Sequence, residues 1–329
     1  MKFSGMFRAM TALAAAGILA AACSQPLFAQ GAYPSKPVRL IVPFPPGGGT
    51  DLVARALGLA VGNDLGQTLI IDNRPGAGTI IGTDAVAKAA PDGYTLLVAT
   101  FANAANPALK AKLPFDANAS FAPVLLLARS PNVLVVPANS PYKSVKDIIA
   151  DAKARPGKIT YGSQGAGTSA HLAAELFLNI AKIEVAHVPY RGASAALNDL
   201  LTGQFAFMMP TAAAVGSFIE AGKLRALGVT SPKRWDKYPQ VPTMAEAGLS
   251  GYEAEAWYGI QAPAGTSKEI IAKLNAVFTK AAHSNEFRKR VEHEGLVTST
   301  GTPEDFDRYY RGEQARWKRI IEENKIAVN

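Results

Sequence analysis

VRLIVPFPPGGGTDLVARALG, residues 38–58, carries the strongest local signal in the chain. An apolar strand from Val38 to Phe44 runs into Pro45-Pro46-Gly47-Gly48-Gly49, and a helix opens at Thr50-Asp51. Three consecutive glycines leave the backbone bare and free to adopt φ > 0. The first amides of a helix lack intrahelical partners and sit at the positive end of its dipole, so the loop reads as a cradle for a small anion. KITYGSQGAGTSAHLAAELF, residues 158–177, repeats the grammar: a short strand, a Gly-rich loop, and Gly167-Thr168 leading into a helix. Two such cradles predict two α/β halves that share one ligand.

The first residues read as a secretory signal peptide rather than as part of the fold. Lys2 and Arg8 form a positive n-region, and Met10 to Ala22 form an apolar stretch too short for a membrane anchor. Cleavage after Ala29 gives a soluble chain starting at Gln30; the competing reading lipidates Cys23, which follows Ala20-Ala21-Ala22. Either product is expected in the periplasm. Cys23 is the single cysteine, so no intrachain disulfide forms, and the length suits one large or two smaller domains without staples. The net charge of +8 is spread along the chain, and its densest run, Phe287-Arg288-Lys289-Arg290, lies beside Glu286, Glu292 and Glu294. That is a solvated helix face. Without a basic stripe, nucleic-acid binding is not expected.

From residue 38 to about 230, short apolar runs alternate with helical periodicity. This alternation predicts mostly parallel sheet with helices on both faces and a ligand beyond the carboxyl ends of the strands. Ser144 to Asp147, Thr243 to Glu246, Thr266 to Glu269 and Thr302 to Asp305 fit the capping box, with Pro303 at a first helical position. Phe306, Tyr309, Tyr310, Trp317, Ile320 and Ile321 form one stripe of a final helix that docks on a core. The chain is expected to cross between domains at Ser130-Pro131. It returns near Gly251 to Gln261, where YEAEAWYGIQAP breaks the pattern.

Motifs for other chemistries fall short. PPGGGTD lacks the Gly-Lys-Ser/Thr ending of a phosphate loop, and as a plain turn and cap it would leave Asp51 a first-turn carboxylate. Asn73-Arg74-Pro75-Gly76-Ala77-Gly78, with Gly82, is one residue too long for a dinucleotide fingerprint and reads as a structural turn. In GSQGAGTSAH, Ser163 follows Gly162 directly, so no nucleophile elbow forms. His171 either faces the cleft or is packed. His187 reads as core, and His283 and His293 as surface. No metal-ligand spacing, cofactor motif or acid–base pair is present, so an enzyme is not expected.

YPSKPVRLIVPFPPGGGTD, NRPGAGTIIGTDAVAKAAPDGYTLL, PGKITYGSQGAGTSAHLAAELF, HVPYRGASAALNDLLTGQ, AGKLRALGVTSPKR and VPTMAEAGLSGYE occur here in order. In these blocks the chain resembles the periplasmic solute receptors of tripartite tricarboxylate transporters, the Bordetella-uptake (Bug) type. The resemblance spans nearly the whole mature chain. It implies an α/β, two-domain periplasmic-binding-protein-like (type II) fold with a ligand cleft between the domains. Domain 1 would comprise residues 30–130 with 255–329, and domain 2 residues 131–254. It also implies a monomeric receptor that closes on a small organic carboxylate and delivers it to membrane permease subunits. A sensor that signals to a membrane kinase is the alternative, and an exported hydrolase a weaker one.

In that family the loop here at Phe44, Pro46, Gly47, Gly48, Gly49, Thr50 and Asp51 holds a ligand carboxylate. So does the loop here at Ser163–Ser169, with Ser163, Gly167, Thr168 and Ser169 as its candidates, and the turn at Tyr190, Arg191 and Gly192 reaches the cleft. His171 joins these candidates, and Phe44, Phe101, Met209 and Trp257 would give the cleft apolar walls. One departure concerns the segment after Gly203-Gln204. Many relatives carry two acids where this chain has Ala206 and Pro210. A ligand with no obligatory ammonium is therefore expected.

Overall fold

In the computed structural model the described residues are 33–62, 64–110, 112–291, 295–323 and 325–326. The signal peptide, Cys23, His293 and the carboxylates at 292 and 294 lie outside them. Val38–Val42 (β1), Leu69–Asn73 (β2) and Thr95–Thr100 (β3) run parallel. Leu40, Ile41 and Val42 are buried, as are Leu96, Leu97 and Val98. Strands covered on both faces need such unbroken apolar runs. At the sheet edge β2 is less demanding, and Ile70 is exposed. Each strand leads into a helix: Gly49–Val61 (α1), Ile80–Ala87 (α2) and Phe101–Leu109 (α3).

The chain then runs through Phe121–Pro131 (β4) and leaves this sheet for Val133–Pro137 (β5). Val145–Ala154 (α4), Thr160–Ser163 (β6), Ser169–Ala181 (α5), Ala186–Pro189 (β7), Ala193–Leu201 (α6), Phe207–Met208 (β8), Ala212–Glu220 (α7) and Leu224–Val229 (β9) follow. Glu255–Pro263 (β10) returns to the first sheet. Lys268–Ala282 (α8), Asn285–Val291 (α9), Val297–Thr298 (β11) and Pro303–Glu323 (α10) complete the chain. The sheets have the orders β11-β4-β10-β3-β1-β2 and β7-β6-β8-β5-β9.

Both sheets are mixed, which corrects the expectation of mostly parallel pairing. β10 lies antiparallel to β3 and β4, and β5 lies antiparallel to β8 and β9. In the first sheet the cause is the return passage. A strand re-entering a sheet from the opposite end fits between β3 and β4 only in the opposite direction. Its sequence hides it, because EAWYGIQAP is buried along nearly its whole length and shows no alternation. Gly259 interrupts it for a reason set elsewhere: a Cβ there would lie 2.2 Å from the Phe306 ring.

The two passages between sheets are tied together. Asn132 donates its amide to the Thr230 hydroxyl at 2.7 Å, and Thr230 donates its amide to the Asn132 carbonyl at 2.9 Å. α10 docks through Phe306, Tyr310, Trp317 and Ile321, with Trp257 edge-on to Phe306 and Tyr310. Each such buried side chain stabilises the fold by roughly 1.5–3 kcal/mol. The caps at Ser144 and Thr302 form as the sequence predicts. Ser267 rather than Thr266 caps α8. Thr243 and Glu246 complete a box around a turn, not a helix, and Gly248 and Gly251 follow it with positive φ.

Candidate ligand cleft

The first loop joins β1 to α1, and its three glycines stand in three different environments. Gly47 has φ +84°, a conformation that disfavours side chains. Gly48 has φ −94°, and a Cβ there would meet only Ala193 at 3.8 Å. Gly49 is helical but crowded. A Cβ on it would lie 2.8 Å from the Thr211 hydroxyl, 3.1 Å from the Tyr258 hydroxyl and 3.3 Å from Ala213. The run therefore permits one turn and one close approach between the sheets.

Asp51 braces this loop. Its Oδ2 accepts from the Gly47 amide at 3.0 Å and from Arg55 Nε at 2.9 Å, and its Oδ1 accepts from Asn73 Nδ2 at 2.9 Å. Burial pushes the carboxyl up, but the hydrogen bonds from Arg55, Gly47 and Asn73 outweigh it and hold it below its ordinary value. The Gly47 amide is thus already engaged. The amides of Gly49, Thr50 and Asp51 open the helix and have no intrahelical acceptor.

The second loop joins β6 to α5 and rests on neutral groups. The Gly167 amide donates to His171 Nδ1 at 3.2 Å, which leaves the imidazole proton on Nε2, 3.8 Å from Glu175. His171 stacks on His187 at 4.2 Å, and His187 Nε2 meets Ser163 Oγ at 2.7 Å. Burial lowers the His171 pKa to about 3, helped by His187, and burial lowers His187 to about 4. Both rings are neutral at ordinary pH. Ser163 is fully buried, and its Oγ also lies 3.2 Å from both the amide and the carbonyl of Gly165. Thr168 caps α5 by backbone conformation, while its hydroxyl donates to the Gly165 carbonyl at 2.7 Å.

Between the loops lies a small cavity of about 20 Å³. Phe44 and Thr50 line it from the first loop, Gln164 and Ser169 from the second, and Ala256, Trp257 and Tyr258 from β10. Two further helix starts reach it: Thr100, Phe101 and Ala102 at α3, and Thr211 at α7. Four helix N-termini and several hydroxyls therefore converge on one point, and no charged side chain lines it. Ser169 Oγ accepts from Asn132 Nδ2 at 3.3 Å, which turns its own proton toward other acceptors. Burial raises the Tyr258 pKa to about 12.

Of the sequence candidates, Phe44, Thr50, Phe101, Ser169 and Trp257 line the cavity. Pro46 and Gly47 are exposed and are not among its lining. Gly48, Gly49, Asp51, Ser163, Gly167, Thr168 and His171 lie in or behind the two loops, His171 as a buried brace. The turn at Tyr190-Arg191-Gly192 packs on the first loop, and a Cβ on Gly192 would lie 3.0 Å from Pro45. Tyr190 spends its hydroxyl on Asp199 at 2.7 Å, and Arg191 is exposed. Met209 is core. Ala206 lines a separate groove with Gly203 and Tyr142, so the missing acid there does not bear on the cavity. Thr100, Ala102, Thr211, Ala256 and Tyr258 were not candidates, and Gln164 entered only as part of the Ser163–Ser169 loop. Thr100 and Thr211 carry a legible signal, a helix start directly after a strand. Among the described residues no three His, Cys, Asp or Glu side chains cluster to hold a metal ion.

Comparison with known proteins places the chain. The family described as tripartite tricarboxylate transporter family receptor matches residues 53–326. Protein BugT of Bordetella pertussis (strain Tohama I) is 37% identical over 293 residues, covering 88% of this chain and 90% of BugT. An R. palustris protein solved with adipate superposes with a TM-score of 0.86 at 36% identity, covering 90% of this chain and 99% of that one. MatC from Rhodopseudomonas palustris, with bound malate, gives 0.84 at 31% identity, covering 88% of this chain and 100% of MatC.

Proposed function

Because this chain belongs to the tripartite tricarboxylate transporter receptor family, we propose that it is a periplasmic receptor for a small organic carboxylate. It captures the solute between two lobes and hands it to the membrane permease of such a transporter. The convergence of four helix N-termini on one cavity with no charged lining carries this reading. Backbone amides and hydroxyls supply donors for an anion, and Phe44, Phe101 and Trp257 supply apolar walls. The adipate and malate in the similar R. palustris proteins favour the same class.

Phe44, Thr50, Thr100, Phe101, Gln164, Ser169, Thr211, Trp257 and Tyr258 touch the ligand in this reading, and Gly49 lets the lobes meet. Asp51 and His171 hold the two loops in shape. The lobes are residues 30–130 with 255–329, and residues 131–254, hinged at the paired passages of Asn132 and Thr230. A cavity of about 20 Å³ has room for about one water, so a carboxylate enters only with the lobes parted. Residues 1–29 act as the signal peptide. Ser163 is a loop brace rather than a nucleophile, because its oxygen is buried under the Gly165 turn. The protein is a receptor, not an enzyme.

A thermal-shift screen of carboxylates, on protein stripped of ligand by unfolding and refolding, tests the proposal. A ligand at 100 times its dissociation constant adds about 2.7 kcal/mol of stability. A panel of mono-, di- and tricarboxylates that leaves the melting temperature unmoved would sink it.

A further inference from the structure

The cavity is rich in donors, and its side-chain acceptors other than Gln164 are hydroxyls, which donate as well. The helix-start amides of α1, α3 and α5 donate, and the Ser169 hydroxyl is turned to donate by Asn132. These groups suit the oxygens of a carboxylate. Gln164 does not fit that pattern. It lines the cavity, its carboxamide oxygen is buried, and that oxygen receives no hydrogen bond from the protein. A buried acceptor without a donor is costly, so such a group in a binding cavity selects a ligand that supplies one. A carboxylate on an apolar chain brings acceptors alone.

The missing donor is neutral. No acidic side chain lines the cavity, and the Asp51 oxygens are taken by Gly47, Arg55 and Asn73. An ammonium group would be buried there without a counter-charge. We propose that Gln164 determines specificity, and that the preferred ligand is a carboxylate bearing a neutral O–H or N–H donor that the Gln164 oxygen receives. This inference rests on the carboxylate reading above.

Calorimetric titration of the refolded protein with matched pairs tests it: propionate and lactate, succinate and malate, adipate and 2-hydroxyadipate. Succinamate serves as the amide arm and aspartate as the ammonium arm. In at least one pair the hydroxylated member, or succinamate over succinate, binds about tenfold tighter. In Gln164→Met that ratio falls to near one. In Ser169→Ala both members of a pair weaken alike and the ratio stays. Gln164→Glu, a second variant that keeps the shape, shifts preference from malate toward aspartate.

A ratio near one for every pair and for succinamate in the wild-type protein overturns the inference while the carboxylate reading stands. So does a ratio unchanged in Gln164→Met, or aspartate binding tighter than malate to the wild-type protein. If no carboxylate binds, both readings fall together.

Discussion

The two glycine loops share one sequence grammar and differ in what holds them. The first is braced by ions: the Asp51 carboxylate gathers Gly47, Arg55 and Asn73. The second is braced by neutral rings and hydroxyls: His171 takes the Gly167 amide and stacks on His187, which meets Ser163. The brace already satisfies the Gly47 amide in the first loop and the Gly165 and Gly167 amides in the second. The amides left for a ligand are those at the helix starts. A Gly-rich motif therefore marks where the backbone turns, and the brace behind it decides which donors remain.

The sharpest way to break the comparison is at the close approach that only the first loop makes. Gly49→Val drives a side chain into Thr211 and Tyr258. Carboxylate affinity should fall about 10- to 100-fold with the fold retained, because overpacking of this kind costs about 1–3 kcal/mol and parting the lobes relieves it. Gly48→Ala, at an ordinary φ with open space, should change affinity less than about threefold. Equal losses from the two substitutions, measured by calorimetry, would show that the glycine run acts as a unit and not position by position.

Removing the braces gives a smaller effect, mainly on stability. Asp51→Ala strands the Gly47 amide and frees Arg55, and should cost about 1–3 kcal/mol in urea unfolding. His171→Leu strands only the neutral Gly167 amide and should cost less, about 1–2 kcal/mol. A larger loss from His171→Leu would reverse the ranking of the two braces.

Much of this frame was legible in the sequence, for physical reasons particular to each element. β1 and β3 are buried on both faces, so their apolar runs are unbroken and easy to find. α10 declares its docked stripe in Phe306, Tyr310 and Trp317. β10 was not legible as a strand, because its glycine answers to Phe306, far along the chain. The stacking of His171 on His187 was hidden too. It depends on the parallel register that sets Tyr161 beside His187. The place of Gln164 depends on how the two lobes meet, and no local pattern records that.

Acid separates the loops by a smaller amount. His171 and His187 bind protons more weakly folded than unfolded, with folded values of about 3 and 4 against an ordinary 6.5. Their contribution is therefore present above pH 6.5 and is lost as pH falls from there toward 4, by at most about 1.4 kcal/mol per pH unit for each ring. Asp51 also has a lowered value, so its contribution is lost only as pH falls below its ordinary 3.8. Hydrogen exchange between pH 7 and 4.5 should show the second loop loosening before the first. His187→Gln should flatten the slope of melting temperature against pH over that range. Simultaneous loosening of both loops near neutral pH would contradict the assignment of the braces.

The central claim is that neutral donors alone hold a carboxylate at the junction of the lobes. The most direct test is calorimetric titration of refolded protein with a binding carboxylate and the analogue in which every carboxyl group is a primary amide, from pH 6 to 9. No lining side chain titrates in that window, since Tyr258 is raised to about 12. The carboxylate should bind with one affinity throughout, and the amide at least about tenfold more weakly, the loss expected when charge-assisted hydrogen bonds are replaced by neutral ones. An amide that binds as tightly, or an affinity that follows the titration of a protein group near neutral pH, would contradict it.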